Sequence, residues 1–145
     1  MKWITRKNIK VDRVACPWLI RRFIDADAEF LFVEEAQLLD VAALEGAIPF
    51  DAPRLPAVKL NHRAERCTFE AIIEDYHLNQ TGLGSLALIV RAADIKGQEH
   101  VAPEGLGLRA IADGCDAMGL SDEDRLAKQF PMYDALFAYC RKQIK

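Results

Sequence analysis

The four cysteines, at positions 16, 67, 115 and 140, are too scattered to form a Cys-x-x-Cys pair, which excludes a zinc ribbon. No apolar run approaches the roughly 20 residues of a membrane-spanning helix. Met1-Lys2-Trp3-Ile4-Thr5-Arg6-Lys7 lacks the apolar core of a secretory signal, so a cytoplasmic location and free thiols are expected. Gly82, Gly84, Gly105 and Gly107 have neither the strand–turn–helix context nor the lysine of a phosphate-binding loop. Positive charge is not in excess: the net charge is −3, which argues against nucleic-acid binding. Basic residues gather only in two short terminal clusters, Lys2/Arg6/Lys7/Lys10/Arg13 and Arg141/Lys142/Lys145, both read as solvated. No repeat or low-complexity segment occurs. With 51% hydrophobic and 28% charged residues, the 145-residue chain suits a single globular domain, 1–145, with an ordinary core.

What is present concentrates in one stretch, Asp12-Arg13-Val14-Ala15-Cys16-Pro17-Trp18-Leu19-Ile20-Arg21-Arg22-Phe23-Ile24-Asp25. Pro17 suits the first position of a helix, since it has no N–H to leave unpaired. Cys16 then falls at the N-cap, where the positive end of the helix would lower a thiol pKa. Leu19, Ile20, Phe23 and Ile24 form a buried stripe. Arg13, Arg21 and Arg22 beside a helix start could hold a carboxylate, phosphate or other oxyanion. The competing reading makes Cys16 a small core residue. It pairs the arginines with Asp12, Asp25 or Asp27 on the surface.

The remaining elements follow from local pattern. Trp3–Thr5 reads as a short strand and Glu29–Val33 as a strand rich in aromatic and β-branched residues. A helix after Glu34-Glu35 stops at Gly46. Ala47–Asp51 is extended, with Pro49 confining it to an edge. Ala57–His62 is expected to be a third strand. Helices are expected from Thr68 as cap, over Ser85–Asp94, over Leu108–Met118, and from about Pro131 through Cys140, with a capping motif at Ser121. Strands early and helices late give an α+β fold: a sheet of about three short strands packed by about five helices.

His62 is the most informative chemical residue. His62-x4-Cys67-x2-Glu70 offers imidazole, thiolate and carboxylate within nine residues; imidazole with carboxylate suits zinc, iron or manganese, and the thiolate favours zinc or copper. The competing reading is a strand-end histidine bonded to a loop carbonyl. Asp51 ends the preceding extended piece and converges on the same rim if the two strands are neighbours. Arg91 and Asp94, one turn apart in an apolar helix, either pair with each other or line a cleft. His77 and His100 read as surface residues. A Cys16 nucleophile with His62 as base requires the two to be close in space.

The chain resembles the chromate-resistance protein family of the ChrB type, in its C-terminal or stand-alone domain. The resemblance rests on Lys2–Arg6, the Asp12–Asp25 stretch, Ile48-Pro49-Phe50-Asp51, His62 with Cys67-Thr68-Phe69-Glu70, Ile89–Asp94 and Tyr133–Phe137. It implies a link to chromate resistance and, in some members, to chromate-dependent regulation. Longer relatives carry an additional N-terminal domain. The family often has a second histidine after the position of His62, where this chain has Arg63.

Three readings follow. In the first, a cleft binds an anion such as chromate, sulfate or phosphate through Arg13, Cys16, Arg21, Arg22 and Arg91, and a divalent metal through His62, Glu70 and Asp94. In the second, the chain is a small metal- or thiol-dependent enzyme, a hydrolase or reductase. In the third, it is a structural module anchored by Trp18, Phe23 and Tyr133.

Overall fold

A computed structural model describes residues 1–144; Lys145, counted above in the C-terminal basic cluster, lies outside them. The fold is α+β, as the order of strands and helices implies. Strand β1 (Lys2–Arg6) lies between β2 (Glu29–Val33) and β3 (Ile48–Pro49), and both neighbours run parallel to it. Parallel pairing needs crossovers. Helix α1 (Asp12–Phe23) makes the first and α2 (Leu38–Glu45) makes the second.

Side chains alternate across a strand, and β1 shows the consequence. Trp3 points into the large core beneath α1, and Ile4 points the other way, to Leu38, Ala42 and Val58. The large core also takes α3 (Thr68–Asp75), α4 (Leu83–Asp94), α5 (Glu104–Ala117) and α6 (Asp122–Gln143). Trp18 is its centre, stacked on Phe69 and edge-on to Phe23 and Phe137. Gly105 lets α5 approach α4, because a Cβ there would sit 2.4 Å from that of Ala92.

Local pattern misplaces several boundaries. Helix α1 starts at Asp12, not at Cys16, and Pro17 lies inside it. The first turn forms because Val11 O accepts from Val14 and Ala15, while Asp94 accepts the backbone N–H of Asp12. The expected strand Ala57–His62 reduces to one bridge, Phe50 to Leu60. Beyond it, the Asn61 side chain takes the ladder's place, accepting from Ala52 N and donating to the carbonyls of Ala52 and Val58. The C-terminal helix is continuous through Pro131 and begins at Asp122, where the Ser121 hydroxyl caps it as expected. Cys67, not Thr68, is the N-cap of α3.

Candidate metal centre

Four segments deliver four side chains to one point. Asp12 opens α1, Asp51 follows β3, His62 stands in the loop before α3, and Asp94 closes α4. His62 Nε2 lies 3.3 Å from Asp12 Oδ2, 3.4 Å from Asp51 Oδ1 and 3.2 Å from Asp94 Oδ2. The ring is 31% exposed and Asp94 19%, whereas Asp12 and Asp51 are buried, so the cluster has one open side.

Local physics explains how buried carboxylates are tolerated here. Asp12 accepts hydrogen bonds from the backbone of Thr68 and Phe69, at the positive end of α3. Asp94 does the same for the first N–H of α1. Asp51 accepts from the Thr68 hydroxyl through Oδ1, and its Oδ2 faces Arg13 at 3.4 Å and Arg6 at 3.7 Å. Its backbone lies in the left-handed region, at φ 50°, a conformation that is costly outside glycine and concentrates at functional sites.

Burial and like charge strain the cluster electrostatically. Burial, and then the neighbouring charge of Asp94, push Asp12 up to about 7. Burial likewise raises Asp51. His62 is held up at about 10, first by its contact with Asp12 and next by that with Asp94. Yet the buried Nε2 atom has no hydrogen-bond partner: the oxygens are near, but none is aligned with an N–H. Asp12, His62 and Asp94 each offer a ligand atom, all within 4.8 Å of one another.

The structure brings together only part of the site expected from sequence. His62 and Asp94 meet, Asp51 joins them as its rim position suggested, and Arg13 stands behind Asp51. Cys16 is fully buried, not at an exposed N-cap, and its thiol donates to Asp12 Oδ1 at 3.4 Å. Its pKa is raised, not lowered, chiefly by burial. Cys67 is raised for the same reason. Neither is an activated nucleophile.

Glu70 turns back to the backbone N–H of Cys67, and Arg91 grips both its oxygens at 2.9 and 2.5 Å. Arg91 therefore pairs with Glu70, not with Asp94. Arg21 bonds the Ala28 carbonyl and lies against Phe30, and Arg22 is bidentate on Asp134. Both sit at the far end of α1, away from His62. Sequence reasoning missed Asp12, read as a surface partner of arginines. The available signal was an acidic residue heading a run that is otherwise almost wholly buried.

Comparison with known proteins gives the same attribution as the sequence motifs. The chain is 30% identical over 139 residues to Protein ChrB of Cupriavidus metallidurans, an alignment covering 95% of this chain and 40% of that relative. The chain thus spans about two-fifths of the length of the relative it matches. No solved structure matches it. The family model for the ChrB C-terminal domain matches residues 3–140, so the chain belongs to the ChrB C-terminal domain family.

Proposed function

We propose that this domain binds a divalent metal ion through Asp12, His62 and Asp94, with Asp51 as a further oxygen beside them. One observation carries the reading: a buried imidazole nitrogen faces three carboxylate oxygens at 3.2–3.4 Å without a hydrogen bond to any. Zinc–ligand distances of about 2.0–2.1 Å correspond to tetrahedral edges of about 3.3–3.4 Å, so the spacing suits donors awaiting a small cation. A cation also relieves the mutual repulsion of the carboxylates, adding to what His62 offsets at Asp12 and Arg13 offsets at Asp51. One nitrogen with several oxygens suits zinc, manganese or iron. Cys16 then supports Asp12 from behind and is not itself a ligand.

An oxyanion such as chromate, sulfate or phosphate would be repelled by the bare carboxylates. We place it instead on the bound metal, at the open side formed by Asp94 and the His62 ring, with Arg13 and Arg6 behind Asp51. This is how we connect the domain to chromate resistance, working in the cytoplasm. Among the described residues no helix is long and apolar enough to cross a membrane.

The open side also favours a second reading, a metal-dependent hydrolase, because catalytic sites keep a coordination position for water. The thiol-dependent version has no support, since both nearby thiols are buried. The test is calorimetric titration with Zn²⁺ and Mn²⁺ of chelator-treated protein, with elemental analysis of protein as purified. Stoichiometric binding lost in His62→Ala and Asp94→Asn, with circular dichroism unchanged, is the expected result. Folded wild-type protein that binds neither ion defeats the reading.

A further inference from the structure

His62 stands in a tight loop. The loop closes on itself through Arg63 N to Arg66 O and Arg66 N to Arg63 O, at 3.0 and 2.9 Å. Ala64 takes a left-handed φ of 54° to make the bend. Both sequence neighbours of His62 are tied down. Asn61 binds the backbone of Ala52, beside Asp51. On the other side, Arg63 donates from Nη1 and Nη2 to the two oxygens of Asp75, at 2.8 and 2.7 Å. The same guanidinium reaches Glu74 and the Lys59 carbonyl, both at 3.3 Å.

The placement of Asp75 gives this contact its meaning. Asp75 is the last residue of α3, the helix whose first N–H groups are held by Asp12. One short helix therefore joins the Asp12 carboxylate at its amino end to the His62 loop at its carboxyl end. A bidentate guanidinium–carboxylate pair fixes angle as well as distance. Exposed pairs contribute little to global stability, so this one acts mainly on the loop's geometry.

We propose, building on the metal reading above, that Arg63 is a positioning residue: clamped on Asp75, it holds the His62 imidazole against the carboxylates of Asp12 and Asp94. It touches no metal itself. Groups that orient metal ligands typically change affinity by about 10- to 100-fold when removed.

The test uses the full chain, with zinc as probe. Arg63→Ala is expected to weaken zinc binding by about 10-fold, with the melting temperature moved by no more than about 2 °C. Arg63→Lys recovers only part of the affinity, because an ammonium cannot grip both oxygens. Asp75→Asn weakens binding in the same direction, and the double variant is no weaker than Arg63→Ala alone. Equal zinc affinity in wild type and Arg63→Ala overturns the clamp. Wild-type protein that binds neither zinc nor manganese overturns the metal reading instead. The clamp is then decided on metal-free protein by ¹⁵N relaxation of residues 61–66, which loosen in Arg63→Ala if it stands and do not if it falls.

Discussion

The two ends of α1 use the same kinds of residue in opposite ways. At the carboxyl end the polar side chains of α1 each have a partner. Trp18 Nε1 donates to Asp134, Arg22 grips the same carboxylate, and Arg21 bonds the Ala28 carbonyl. Aromatic rings of Phe23, Phe69, Tyr133 and Phe137 close around Trp18. At the amino end, Asp12 points at Asp94 and at a histidine nitrogen that makes no hydrogen bond. One end is closed by paired groups; the other gathers an imidazole nitrogen and carboxylates with that nitrogen left unpaired. A run of residues that reads as a single motif therefore divides into a packing half and a site half, separated near Pro17.

The contrast can be broken experimentally, and the largest effect lies in the packing half. Trp18→Ala should lower unfolding free energy by about 3–5 kcal/mol in urea titrations, as truncation of a fully buried aromatic does. A loss of under about 1 kcal/mol would deny that this end is the core. Next comes the metal. At about 100 times its dissociation constant, zinc should stabilise the wild type by about 2.7 kcal/mol, reversed by a chelator. Asp94→Asn should abolish that gain while changing metal-free stability little, since relief of repulsion from Asp12 and Asp51 is set against the lost attraction to His62. Arg22→Ala should keep the whole gain; losing it there would erase the distinction between the ends.

Cys16→Ala removes a buried thiol and its hydrogen bond to Asp12, and should destabilise by about 1–2 kcal/mol. In native wild-type protein the partly exposed Cys115 should react with iodoacetamide first and Cys16 and Cys67 last, as mass spectrometry of the labelled protein can show. Fast labelling of Cys16 would restore the reactive-thiol reading.

The smallest effect belongs to Arg22 and Asp134, both substantially exposed, at about 1 kcal/mol or less. Contact with Arg22 lowers the Asp134 pKa, so its contribution is present above the ordinary carboxylate pKa of about 3.9 and is lost as pH falls through the lowered folded value. Arg22→Ala should therefore flatten the acid end of the stability–pH curve and leave neutral pH nearly unchanged.

Much of the fold was legible because its signals are local. The β-branched and aromatic run Glu29–Val33, the edge position forced by Pro49 and the Ser121 cap each depend on a few adjacent residues. The start of α1 was not, because its first turn is held by Asp94, more than eighty residues away. The segment Ala57–His62 reads as a strand, yet Asn61 replaces the ladder with side-chain bonds that no alternation of polarity records. His62 could be singled out by its residue type and setting. Glu70 could be wrongly joined to it because nothing in a nine-residue spacing says that the carboxylate turns back to its own helix and to Arg91.

The chain by itself determined its α+β class, most of its elements, its family and the histidine at the centre of the candidate site. Only the tertiary structure decided which acids surround that histidine. They come from residues 12, 51 and 94, on three separate segments, and periodicity reports that a face is buried without saying what it meets. The same limit hid the fate of the arginines, for a guanidinium's role depends on which carboxylate or carbonyl the packed chain puts within its reach.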